Sequence, residues 1–184
     1  MRRTTWAPIA ITVIALGATG CGTNTADSTG HASVAIAPRP EGSGPLPKKF
    51  VTADLADAAA AAGVPDNAPE YARGYTEAPA DSGRSCGAGF AGFADEATKV
   101  DMARYETVLR ELRKRGWKQA QKREERKDKV SGEIFNAKDG FEQRGWRVVV
   151  EYRKGAEGGV KSKIHLIGID DACMQAGGFK APTP

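Results

Sequence analysis

The chain has 184 residues, 40% hydrophobic and 27% charged, with 27 Lys or Arg against 23 Asp or Glu. Residues 1–20 hold two of those basic residues and no acidic one, so without them the formal net charge falls from +4 to +2. That near balance excludes the strongly basic footprint of a nucleic-acid binder.

Arg2 and Arg3 precede a mostly apolar run from Trp6 to Thr19. A bilayer-spanning helix needs roughly twenty apolar residues, and this run is shorter. A charged start, a short apolar stretch and a small-residue exit describe an export signal over residues 1–20. The exit, Ala18-Thr19-Gly20-Cys21, resembles the lipobox of bacterial lipoproteins, although Ala18 stands where leucine is usual. The resemblance implies a diacylglyceryl group on Cys21, which becomes the first residue of the mature chain. Two acyl chains hold a protein stably on a membrane. The alternative is cleavage at an ordinary secretory site, with a free product.

With Cys21 lipidated, Cys86 and Cys173 remain as a pair in an oxidising compartment, and a disulfide between them is expected. The alternative is two unrelated buried thiols. Residues 21–49 are rich in Gly, Ser, Thr, Ala and Pro and read as a tether, with His31 inside it. About 28 residues of flexible coil span roughly 30 Å. The folded domain is expected over 50–178, followed by a tail at 179–184.

Within the domain, Thr52 is placed to cap a first helix, with Asp54 and Asp57 in its first turn and Gly63 and Pro65 ending it. Residues 64–97 read as irregular. A second helix is expected from Thr98 to Arg115, since Met102, Tyr105, Val108, Leu109 and Leu112 share one face of a 3.6-residue period. After Gly116 the period changes to two. Strands are expected from Trp117 to about Glu125, around Ile134-Phe135, over Trp146–Arg153 and over Lys163–Ile169, with turns at Asp139-Gly140 and Gly155–Gly159. In the last strand Ile164 and Leu166 face one way and Ile167 and Ile169 the other, which predicts a bulge or burial on both faces. The fold class is therefore α+β: two helices on one face of a three- to four-stranded antiparallel sheet, stapled by the disulfide between its layers.

No catalytic, cofactor-binding or metal-ligating set is expected. Gly87-Ala88-Gly89-Phe90-Ala91-Gly92 matches the dinucleotide fingerprint but lacks the βαβ unit that chemistry requires, so it reads as a flexible loop with Phe90 and Phe93 on the core. Asp170-Asp171 reads as a turn or cap, and His165 as a surface-facing strand residue. Trp117 and Trp146 each follow Arg-Gly and read as openings of core-facing strands, with sugar-binding platforms as the alternative. Residues 98–130 hold twelve basic against six acidic residues. They form either a stripe for anionic wall polymer or a solvated face.

The signal, the tether, a cysteine ahead of Tyr105-x-x-x-Leu109-x-x-Leu112, a Gly-Trp strand opening and a closing cysteine are similar to the small, function-unassigned lipoproteins of high-GC Gram-positive bacteria. The element order is similar, at fold level only, to β-lactamase inhibitory proteins and outer-membrane assembly lipoproteins. The resemblance implies anchorage on the outer face of the cytoplasmic membrane. The expected function is a non-enzymatic binding module for an envelope partner. The alternatives are an envelope hydrolase using carboxylates not located here, or wall-polymer binding through 98–130.

Overall fold

In the computed structural model, residues 42–156 and 161–179 are described. The elements run α1 (Lys48–Ala61), α2 (Pro69–Thr76), β1 (Gly87–Phe93), α3 (Met102–Lys114), β2 (Lys118–Lys127), β3 (Ile134–Gln143), β4 (Trp146–Arg153), β5 (Lys163–Asp170) and α4 (Asp171–Ala176). The class is α+β, but the sheet has five strands and the helices number four among the described residues. All pairings are antiparallel, in the order β1-β5-β4-β3-β2.

Helices α1 and α3 pack against each other and cover one face of the sheet. The predicted stripe on α3 is buried, with Tyr105, Val108, Leu109 and Leu112 fully enclosed and Met102 at the margin. Asp101 caps that helix by accepting the Arg104 N–H, and Arg113 and Lys114 sit at its negative end. Facing them are Ala88 and Phe90, Ile164 and Leu166, Trp146, Val148, Val150 and Tyr152, and Ala137 and Phe141. Strands β1, β3, β4 and β5 supply alternate residues to this core, as a pleated sheet requires, while β2 is polar and supplies none.

Several expectations are corrected. Helix α1 begins at Lys48 rather than at Thr52, whose hydroxyl donates back to the Lys48 carbonyl instead of capping. Asp54 is consequently an interior position of α1 and is buried. Leu46, expected in the tether, is buried, and its carbonyl accepts the Trp146 indole N–H at 2.7 Å. The irregular stretch 64–97 contains α2 and β1. The fingerprint-like segment is the strand β1 itself, with Phe90 buried and Phe93 exposed.

Asp139-Gly140 lies inside β3, not in a turn. The β3–β4 turn is Arg144-Gly145, with φ of 46° and 80°. Two consecutive left-handed residues match the twist of a tight hairpin, a geometry in which glycine carries no Cβ strain. Part of the expected turn at Gly155–Gly159 lies outside the described residues. Strand β5 pairs without a register shift on both sides, so it is not bulged; Ile164 and Leu166 are buried under the helices, while on the opposite face Ile167 is half-buried and Ile169 is buried.

Cys86 and Cys173 form the disulfide, with Cα atoms 5.4 Å apart. It joins the start of β1 to α4, which follows β5, and so clamps one sheet edge instead of stapling helix layer to sheet. Ile169 and Met174 pack around it, with Phe179 of the expected tail against them.

A bridge over a sequence separation of 87 restricts the unfolded chain strongly. The double variant C86A/C173A should lose about 4 kcal/mol of unfolding free energy in urea titration, with α1 and α3 retained in the folded form.

Candidate functional site: the uncovered face of the sheet

The face of the sheet away from α1 and α3 is built in cross-strand rows. One row runs Gly89, Ile167, Val149, Gly140 and Gln121 from β1 to β2. The row on one side is Ala91, His165, Glu151, Lys138 and Glu124. On the other side it is Gly87, Ile169, Arg147, Glu142 and Lys118. An apolar strip thus lies between two charged rows. Over β5, β4, β3 and β2 this strip floors a cavity of about 320 Å³, lined by Val149, Ile167, Ile169 and Gly140 with Lys138, Arg147, Glu151 and Gln121 at its rim.

The rim charges differ in their bonding. Arg147 donates to both oxygens of Asp171, at 2.8 Å and 2.9 Å from Nε and 2.6 Å from Nη2. The Asp171 carboxylate holds the guanidinium above its ordinary pKa. Burial pulls the Glu151 carboxyl upward, but bonds from Arg153 and Asn136 outweigh it and keep the group below its usual range. The Lys138 side chain lies in register between two carboxylates, Glu151 on β4 and Glu124 on β2.

Helix α2 closes the β1 side of this face. Pro69 opens it and Glu70 lies in its first turn. Its tyrosines lie on the glycines of β1, where a Cβ at Gly89 would overlap the rings of both Tyr75 and Tyr71. The glycines thus serve close packing, not phosphate binding. Tyr71 also hydrogen-bonds His165 Nε2 and meets its ring edge-on, with centroids 4.7 Å apart. His165 is therefore half-buried beneath α2, not surface-facing. Burial, then the nearby Lys163, lower its pKa to about 4. Burial likewise drives the Tyr71 phenol above its ordinary range. The outer edge of β1 is capped by Asn67, whose amide donates to the Gly89 carbonyl at 3.1 Å and accepts the Ala91 N–H at 2.9 Å.

The polar groups that sequence reasoning missed lie on the covered face. Asp139 is buried and accepts from the Tyr105 hydroxyl at 2.8 Å, Arg123 Nε at 2.8 Å and Gln119 Nε2 at 2.9 Å. Asp54 accepts the Trp117 indole N–H at 2.9 Å, and buried Arg115 lies 3.9 Å from its other oxygen. These bonds tie α1 and α3 to the sheet. A sequence carries no local signal for them, because each joins residues far apart in the chain.

Both Trp117 and Trp146 are buried in the core, so neither is a platform for sugar. Asp170 caps α4 by accepting the Cys173 N–H. In the basic segment, Arg104, Arg113, Lys114, Arg115 and Arg123 all bond within the molecule. Cys21 lies outside the described residues. Among the described residues no group of three or more His, Cys, Asp or Glu could hold a metal ion, and no helix is long and apolar enough to cross a membrane. In comparisons with known proteins, no family model, no curated protein and no solved structure matches the chain.

Two outcomes follow from α2 and His165. Gly89→Ala should lift α2 from the sheet, read as faster amide exchange over 69–76 with protection in α3 unchanged. Between pH 6.5 and about 4 an unfolded histidine binds a proton that folded His165 refuses. Its contribution to stability is therefore complete above the unfolded value and lost on acidification through that window. His165→Gln should flatten the fall in melting temperature between pH 6.5 and 4.

Proposed function

We propose that the chain is a lipid-anchored, extracytoplasmic, non-enzymatic binding module, and that its binding surface is the uncovered face of the sheet. The observation that carries the binding surface is the apolar strip of Val149 and Ile167, which with Ile169 of the next row floors a cavity in a fold whose helices α1 and α3 lie on the other face. Apolar floors with a few polar groups at the rim are the usual chemistry of small binding sites. A non-enzymatic role is supported by the bonding of the residues nearest to acid–base chemistry. His165 is engaged by Tyr71, and Glu151 by Arg153 and Asn136. Anchorage is supported by the export-signal pattern and by Cys21, with the proline-rich stretch after it giving reach from the lipid surface.

Anchorage is tested by the intact mass of the membrane-extracted protein. A diacylglyceryl mass on a chain beginning at Cys21 is expected, and an unlipidated chain with another start would remove the anchor. The surface is tested by photo-crosslinking in cells from benzoylphenylalanine at Val149 or at Arg110, which is exposed on α3. Adducts should form from position 149 and not from 110. Identical adducts from both, or none from 149, would overturn the assignment.

A further inference from the structure

We infer that a second copy of this chain docks on the uncovered face, the two sheets stacked about a two-fold axis that lies midway between them and runs along the strands between β4 and β3. The inference rests on the uncovered face being the binding surface. A face that meets its own copy must match its own image, and the charges here do. On β3 and on β4 the rows beside the apolar strip carry opposite signs, Lys138 against Glu142 and Arg147 against Glu151. Along each row the sign also alternates from strand to strand. Rotation about the axis exchanges β4 with β3. It lays Lys138 of one copy over Glu151 of the other, and Arg147 over Glu142, each contact occurring twice as an isologous interface requires. Within one sheet Lys138 already lies between Glu151 and Glu124, and Arg147 is held by Asp171. Such a locally neutral face favours a partner with the same alternation over a ligand of single sign.

Shape selects the same axis. The strip is low at Gly140, which has no side chain and lies beneath that of Gln121, and higher at half-buried Val149. The rotation aims Val149 of each copy at Gly140 of the other, into the cavity of about 320 Å³. Helix α2 lies on β1, at one end of the order β1-β5-β4-β3-β2. About this axis it passes outside the partner's β2 edge, so the sheets close to the usual spacing of about 10 Å. A two-fold along the strip would match charges as well, but it would set α2 against α2 and wedge the sheets apart by about two helix diameters. Four strands about 4.8 Å apart, over roughly 20 Å of their length, give roughly 400 Å² of flat contact on each copy, less than a standard interface. Association is therefore reversible, with a Kd on the order of 10–100 µM.

The test uses the full chain carrying Cys21→Ser, which accepts no lipid at that position, with Cys86 and Cys173 oxidised, in sedimentation equilibrium over concentrations that span that range. A monomer–dimer equilibrium is expected. Lys138→Glu sets carboxylate against carboxylate at both contacts, and Glu151→Lys sets ammonium against ammonium. Each variant alone should lose about tenfold or more in dimer affinity. An equimolar mixture of the two restores opposite charges at both contacts and should dimerise like the unsubstituted chain. Glu142→Lys, at an exposed position, should weaken the dimer by a similar factor and guards against a folding defect at Glu151. Mixed with Lys138→Glu it would be matched only about the other two-fold, so that mixture should stay as weak as its components. A monomer at every concentration, no recovery in the first mixture, or recovery in the second would overturn the inference. Crosslinks from Val149 to some other species, with the chain monomeric throughout, would remove the second copy and leave the binding surface. Loss of both results would remove both.

Discussion

Two helices and a five-stranded sheet impose a constraint on which the rest of the structure depends. Strands repeat at about 4.8 Å and a helix with its side chains is about 10 Å across, so α1 and α3 side by side serve one face of the sheet. The remaining helices are short. Eight-residue α2 lies on β1, and six-residue α4 follows β5 at the disulfide. Among the described residues, α1 and α3 leave the other face over β4 and β3 to its own side chains. Its strip of Val149 and Ile167 between charged rows is the chemical consequence, and it is the only reason to look for a ligand there.

The covered face is held by direction as well as by apolar area. Burial of Tyr105, Val108, Leu109, Leu112, Trp117 and Trp146 supplies most of the driving force, at about 25 cal/mol for each Å² of apolar surface removed from water. Such burial does not specify one arrangement. Asp54 and Asp139 do, because a buried carboxylate must find donors in defined directions. Asp54 draws α1 onto Trp117 at the end of α3, and Asp139 joins α3 to β2 through Tyr105 and Arg123. Truncating one partner would leave a buried charge, so these positions read as stability determinants despite their chemistry.

The two sheet edges are protected by different means. On β1, Asn67 presents its amide as though it were one residue of a further strand, and the clamp of Cys86 to Cys173 holds that edge in place. On β2, register shifts and exposed lysines disfavour pairing with another chain. Association through strand addition is thus discouraged at both ends, and the face between them remains the accessible surface. The basic segment takes on a different meaning here: part of it protects an edge, and part bonds α3 to the sheet.

Strong periods were legible in the sequence. The α3 stripe, the alternation of β4 and the two-faced apolar pattern of β5 were each read from side chains alone, as was the pairing of Cys86 with Cys173. What escaped were elements whose local chemistry points elsewhere. Gly87–Phe93 carries three glycines in seven residues, so it resembles a loop until the rings of Tyr71 and Tyr75 lie across it. Asp139-Gly140 carries the usual turn residues, yet Tyr105 and Arg123 hold the aspartate inside a strand. Arg144-Gly145 forms the real turn with a residue that favours no turn. The site was half legible in the same sense, since Ile167 and Ile169 were visible as apolar positions facing one way, whereas Val149 stood unmarked among Arg147, Glu151 and Arg153. Alternation by itself determined that those side chains share a face. Only the tertiary structure decided that the face stays uncovered, because coverage depends on how many helices reach it and where a disulfide holds the edge.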